Sequence, residues 1–493
     1  MSSIILPKTK SRSALLREKL GYPIVDTDFH TEEFGPAFID VLKKVGGAEI
    51  AAKYVAAISG TGRAQWLNIS DEEKKEFRIS RTPWWTRPAH NTLDLATISI
   101  PSLTYKRLDE FGIDFAIVYP NLTLFAPSIP DDELRRAVVR AANIYSAEVY
   151  REYSDRLSPV AVIPMHTPEE AIEELEYAVN VLGLKAAMIA GHVKRPIPGI
   201  VKKYPELEKE AFYIDTYGID SPYDYDPFWA KAVELKVSLS THVSGQGLDT
   251  RRSISNYMYN HIGHFAAASE ALAKSLFFGG VTSRFPSLKF AFLEGGVSWG
   301  ASLYPDLIWH WQRRNKAAVE QYNPENIDKE LLYALYEEYG GDHVKGRLDQ
   351  LHLGANYLIN NTVVPLELRD EFADIGIEKA EDIRDLFVPN FYFGIEADDP
   401  TIHTAFDRKG LPFETPLRAF LSSDAGHWDV RNIADALADS YELVEKGVIS
   451  ASDYKDFVFT NPVSLYAGSN PDFFKGTVVE KQVDALLKEK GGQ

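Results

Sequence analysis

Eight short β-type apolar runs recur along the chain, most of them followed by a stretch of helical character. They are Ile24–Val25 leading into Asp26-Thr-Asp-Phe-His30, then Phe115–Tyr119, Val160–Ile163, Leu184–Ala190, Val237–Ser240, Phe290–Leu293, Phe391–Ile395 and Ala419–Ser422. Strands alternating with helices specify a parallel sheet, because a parallel connection must cross the sheet and a helix supplies the length. Helix starts are legible too: in Thr167-Pro-Glu-Glu170 a capping hydroxyl precedes a first-turn proline and two carboxylates. Eight units favour a closed (β/α)8 TIM barrel over an open doubly wound sheet. No G-x-G-x-x-G follows the first run, which argues against a dinucleotide-binding sheet.

The 493 residues would allow roughly three domains of about 150 residues each. One decorated barrel also accommodates them. The expected organisation is a single domain over 1–493, with a core of about 20–475, a C-terminal tail 476–493 and lid-like insertions 31–103, 191–226, 243–263 and 319–385. Long insertions after barrel strands build active-site lids, since such sites lie at the strands' C-terminal ends. The stretch Arg81-Thr-Pro-Trp-Trp-Thr-Arg-Pro-Ala-His90 is the most lid-like. Trp84 and Trp85 either cover an organic substrate or pack the insertion onto the barrel.

Polar residues gather where barrel chemistry is expected. Asp28 and His30 end the first strand two residues apart, on one face. His242 ends the fifth strand, Glu294 the sixth and Asp424 the eighth. Two imidazoles and three carboxylates suit Zn²⁺, Mn²⁺ or Fe²⁺. The chain has no cysteine, so thiolate zinc sites, cysteine-ligated clusters, disulfides and cysteine nucleophiles are excluded. A net charge of −18 disfavours general binding to nucleic acid or anionic membrane. No apolar run reaches the roughly 18 residues of a membrane span, and the first twenty residues lack a signal-peptide core, so the cytoplasm is the expected compartment.

Several segments resemble the amidohydrolase superfamily, in the branch related to aminocarboxymuconate-semialdehyde decarboxylase. They are Val25-Asp-Thr-Asp-Phe-His30, Ile189-Ala-Gly-His-Val193, Ser240-Thr-His-Val243, Gly279-Gly-Val-Thr-Ser-Arg-Phe-Pro-Ser-Leu-Lys-Phe290, Phe292-Leu-Glu-Gly-Gly296, Ser422-Ser-Asp424 and Asn461-Pro-Val-Ser-Leu-Tyr466. The resemblance implies a distorted (β/α)8 barrel with long loop insertions, one or two divalent ions (Zn, Mn or Fe) at its C-terminal face, and a possible homodimer. It assigns metal ligation to Asp28, His30, His242 and Asp424, with Asp424 also taking a proton. Glu294 departs from the family's usual sixth-strand histidine and is either a further ligand or a general base. His192 matches a histidine of the decarboxylase-like pattern and is a candidate for lining the site and contacting substrate. Four further residues, His166, Arg251, Asn256 and Trp84, with Trp85 beside the last, are candidates for contacting a small-molecule substrate, while His427 is read as orienting Asp424.

Three reactions fit this set. Hydrolysis of a cyclic or carboxylated substrate through a metal-activated water is the first expectation, with Asp424 or Glu294 as base. The alternative is non-oxidative decarboxylation of an aromatic or muconate-type acid, and the third is hydroxylation at non-haem iron. A barrel that has lost its metal and serves as a scaffold is the non-catalytic option; the intact His30, His242 and Asp424 argue against it.

Overall fold

The computed structural model describes residues 9–59, 66–82, 84, 86–242, 248, 250–350 and 368–491. Its ten strands are β1 (Val25–Thr31), β2 (Phe115–Pro120), β3 (Leu157–Ile163), β4 (Ala186–Ile189), β5 (Val193–Pro196), β6 (Phe212–Asp215), β7 (Leu239–Thr241), β8 (Phe290–Phe292), β9 (Phe391–Ile395) and β10 (Arg418–Leu421). Eight of them pair in the order β1-β2-β3-β4-β7-β8-β9-β10. Every one of these pairings is parallel.

The ring closes between β1 and the loop after β10. Phe29 bridges Ala425, His30 N–H donates to Ala425 O at 2.8 Å, and Asp424 N–H donates to Asp28 O at 3.0 Å. Gly426 permits this approach: its φ is +97°, and a Cβ there would lie 2.6 Å from His30 O. The result is the (β/α)8 TIM barrel that the alternation implied.

Most of the eight barrel strands are apolar because helices cover the outside and side chains fill the inside. All of β2 (Phe115-Ala-Ile-Val-Tyr-Pro120) is buried. All of β1 is buried as well, yet it carries Asp26, Asp28 and His30, which an ordinary core would exclude. The helix Pro168–Glu176 starts as its sequence suggests, with Thr167 Oγ1 accepting from Glu170 N–H at 3.2 Å.

The insertion 191–226, expected from sequence to be a loop, holds the antiparallel hairpin β5–β6. Alternating burial along β5, with Val193 and Arg195 inside, is the period-two signal of a half-buried strand.

The helix Asp132–Tyr150 packs against β3 and carries the buried Arg135. Its guanidinium clasps Glu170 at 2.9 and 2.8 Å, and both side chains are at most 3% exposed. Arg135→Ala should lower unfolding stability by about 3–5 kcal/mol, because Glu170 would keep a buried charge with only Arg136 Nε, 3.8 Å away, to offset it. Urea denaturation checks this; a loss below 1 kcal/mol would show that the pair is not holding the helix.

The chain divides into two compact units, residues 1–303 with 386–493, and 304–385. The first contains the barrel. In the second, the helix Lys329–Tyr339 is capped by Asp328, whose carboxylate accepts from Leu331 N–H at 2.9 Å. Among the described residues, no helix is long and apolar enough to cross a membrane.

Candidate metal centre

Five ligand-type side chains converge at the C-terminal mouth of the barrel. Asp28 and His30 come from β1, despite an irregular register between Asp26 and Phe29. His242 follows β7, Glu294 follows β8 and Asp424 follows β10. Glu294 and Asp424 have left-handed backbones, with φ of 57° and 52°. Side chains other than glycine pay roughly 1–3 kcal/mol for such a conformation, and it persists where the surroundings over-determine it.

The facing atoms are close. His30 Nε2 lies 3.1 Å from Asp28 Oδ1, 3.3 Å from Glu294 Oε1 and 3.4 Å from Asp424 Oδ1. His242 lies 3.3 Å from Asp28 Oδ1 through Nε2, and 3.2 Å from Glu294 Oε1 through Nδ1. Asp28 Oδ1, His30 Nε2, both His242 nitrogens, Glu294 Oε1 and Asp424 Oδ1 are buried and make no hydrogen bond within the protein. Buried polar atoms are otherwise almost always paired, so this concentration marks a place built for something else.

The second oxygen of Asp28 is occupied. Asp28 Oδ2 accepts from Ser422 Oγ at 2.7 Å. Asp26 Oδ1 accepts from the backbone N–H of Asp28 at 3.2 Å and of Ser423 at 3.1 Å, tying the two ligand-bearing segments together.

Burial and mutual charge set the protonation of these groups. Burial favours the neutral form of Asp28 and Glu294, but the neighbouring imidazoles outweigh it and hold both below the usual carboxylate range. Burial opposes a charge on His242 as well, yet Asp28 and Glu294 push it up to about 9. Asp424 is pushed well above its usual range by burial and by Glu294, Asp429 and Asp28.

Sequence reasoning missed two groups at this mouth. Glu396 directly follows β9, the seventh barrel strand. Burial and the charges of Asp429 and Glu294 push it up to about 8. The sequence had marked that strand but not the residue after it. His427, read only as orienting Asp424, lies 2.5 Å from Asp424 Oδ1 and 3.3 Å from Glu294 Oε1. Its ring stacks on His30 with centroids 3.8 Å apart. Its other nitrogen, Nε2, lies 2.8 Å from Asn121 Oδ1.

The substrate-contact candidates scatter. Trp84 packs near His427, His264 and Phe265, at centroid distances of 5.8, 5.9 and 5.6 Å, so the insertion does reach the mouth. Trp85 lies outside the described residues. His192, just after β4, is pushed down to about 4 by burial and Lys194, and belongs to neither group of potential ligands. Arg251 donates to Ile262 O at 3.3 Å. Asn256 caps the helix Tyr257–His261 by accepting from Tyr259 N–H at 2.9 Å.

His166 follows β3 beside the cations Arg135 and Arg195, and burial with those charges pushes it down to about 3. The unfolded chain therefore binds this proton more readily, so stability is lost as pH falls from about 6.5 toward 3. Between pH 6.5 and 5 the loss is on the order of 2 kcal/mol at 1.36 kcal/mol per unit. His166→Gln should flatten the stability–pH curve over that interval; an unchanged slope would assign the acid sensitivity to other groups.

Residues 101–344 match a family model described as Amidohydrolase. The 2-keto-4-carboxy-3-hexenedioate hydratase of a Sphingobium species is 28% identical over 211 residues, 42% of this chain and 52% of that protein. A gamma-resorcylate decarboxylase of a Rhizobium species is 28% identical over 162 residues, 32% of this chain and 42% of that protein. The chain thus spans about half the length of these relatives or less. A dihydroxybenzoic acid decarboxylase of a Polaromonas species, solved with bound manganese and the inhibitor 2-nitroresorcinol, shares the fold with a TM-score of 0.51. It is 18% identical, and the match covers 92% of this chain and 99% of that one.

Proposed function

This chain carries an amidohydrolase domain of the branch related to aminocarboxymuconate-semialdehyde decarboxylase, and on that premise we propose that it is a divalent-metal-dependent, non-oxidative decarboxylase of a small aromatic acid. The observation that carries this reading is the buried ring of unsatisfied imidazole and carboxylate atoms at the barrel mouth. Decarboxylase names among the relatives support the reaction class. Hydrolysis, the first expectation from sequence, draws no specific support from those relatives.

The donor set fits a borderline-hard dication, being oxygen and imidazole without sulfur. Asp28, His30, His242, Glu294 and Asp424 would hold it. Bound there, such an ion supplies positive charge that anchors and polarises a substrate carboxylate.

The chain's own groups provide the rest. Ser422 and Asp26 fix the β1 ligands against the β10 loop. Trp84, packed over His427, covers an aromatic ring and excludes water from it. Loss of carbon dioxide leaves the bonding pair on the ring carbon, which must gain one proton. Glu396, the half-buried acid at the end of β9, supplies that proton and recovers it from solvent after each turnover.

The test is carbon dioxide release from hydroxylated benzoates by the full chain loaded with Mn²⁺. Metal-dependent release is expected, with one equivalent of the decarboxylated ring. Release that persists after chelation overturns the metal-dependent reading. Hydrolysis of an amide or lactone without any carbon dioxide overturns decarboxylation, as does oxygen consumption by an iron-loaded sample.

A further inference from the structure

Buried asparagines in this protein use their amide nitrogens. Asn143, Asn260, Asn390 and Asn461 are each at most 3% exposed. Each donates from Nδ2 to a backbone carbonyl, of Val162, Ser253, Leu288 and Ala419 respectively, at 2.7–2.9 Å. Asn121, directly after β2 at the barrel mouth, does not: its Nδ2 is buried and has no partner within the protein. Among the described residues no other asparagine has a buried Nδ2 left in this way. A buried donor without an acceptor is costly, so its retention at the mouth points to an acceptor that arrives from outside.

The donor is held in place from both ends. Glu33 is buried, and its carboxylate accepts from the backbone N–H groups of Asn121 and Leu122 through Oε2, at 3.1 and 2.8 Å, and of Thr123 through Oε1 at 3.0 Å. Thr31 O also accepts from Asn121 N–H, at 2.8 Å. At the other end Asn121 Oδ1 accepts from His427 Nε2 at 2.8 Å. With backbone and carbonyl both tied, the amide plane cannot turn Nδ2 toward another protein group without breaking a bond. Its carbonyl taken, the side chain has only N–H to offer.

His427 indicates what that donor meets. Its Nδ1 faces Asp424 and Glu294, at 2.5 and 3.3 Å, and Nε2 lies on the opposite side of the ring. Asn121 thus stands an imidazole's width outward from the carboxylates of the mouth. Trp84 borders the same space, its ring centroid 5.8 Å from that of His427 and 6.2 Å from that of Phe125, in the loop that Asn121 opens. An aromatic acid anchored by its carboxylate among the metal ligands extends its ring outward from them. It brings a ring substituent, not the carboxylate, to the amide.

We propose that Asn121 is a specificity-determining residue, whose Nδ2 donates to an oxygen substituent on the substrate's ring. This rests on the aromatic-acid reading above and deepens it by naming the group that reads the ring. A site built to hydrogen-bond a substrate group discriminates against the analogue that lacks it, because its own polar atom is then left unpaired.

The experiment titrates the full-length, Mn²⁺-loaded protein with benzoate and with its monohydroxy isomers, and reads dissociation constants by calorimetry. The wild type should bind one isomer about tenfold more tightly than benzoate. Asn121→Ala and Asn121→Asp should both erase that preference; alanine removes the whole amide, whereas aspartate keeps the oxygen facing His427 and loses the donor. The backbone bonds to Glu33 and Thr31 do not need the side chain, so both variants should fold. A shift of His427 or an added charge weakens benzoate and its hydroxylated isomers alike, so the ratio isolates the contact from a merely structural role. A preference that survives in either variant, or is absent from the wild type, overturns the role of Asn121, while the decarboxylase reading still stands or falls on carbon dioxide release. A wild type that binds none of these acids overturns both.

Discussion

His30→Ala is expected to strip the chain of firmly bound divalent metal and to take turnover with it. Its ring lies at the centre of the mouth, with Nε2 within 3.4 Å of Asp28, Glu294 and Asp424. Among the described residues, the other two imidazoles of the mouth, His242 and His427, already face the same carboxylate oxygens. Polarisation by a bound ion is worth several kcal/mol, so kcat should fall by about 10³-fold or more. Metal content by mass spectrometry and turnover should fall together. The fold should survive, because neither ring nitrogen of His30 hydrogen-bonds to the protein and the barrel closes through its backbone N–H. An unaltered far-ultraviolet circular dichroism spectrum is the control. Full metal content in the variant would show that His30 is not a ligand.

Glu396→Gln separates proton supply from metal binding. The amide keeps the shape of the side chain but cannot deliver a proton. General acid catalysis contributes about 10²–10⁴-fold, and kcat should drop within that range while metal content and substrate affinity change little. Asp398→Asn, two residues further on and exposed, is the matched control and should stay within about twofold of wild type. An unchanged kcat in Glu396→Gln would leave Glu396 as a structural acid and require another donor.

Much of this was legible in the sequence, for a physical reason. A parallel strand buried on both faces has few places for ionisable residues, so Asp28, His30, His242, Glu294 and Asp424 stood out at the ends of apolar runs. The rule that singled them out, polarity at a strand's C-terminal end, applies equally to Glu396 after β9, and applying it there would have found it. His427 was harder: it sits in a loop three residues beyond Asp424, where left-handed backbone at both Asp424 and Gly426, with φ of 52° and 97°, turns the chain, and its ring stacks on His30. The hairpin β5–β6 escaped because each strand is four residues long, too short for its alternation to rise above loop composition. Asn256, read as a possible substrate contact, is an N-cap, a use its residue type permits equally well.

The seam where β1 meets the loop after β10 also fixes when this protein can become functional. Ser422 and Asp28, which touch across it, are 394 residues apart in sequence. During synthesis at roughly 5–20 residues per second, the early ligands wait tens of seconds for the last ones to emerge. A nascent or truncated chain has half a coordination shell and no closed ring to hold it. Metal capture is therefore a late event, coupled to a contact between the first and last barrel strands, and the holo form reports that the whole ring has closed.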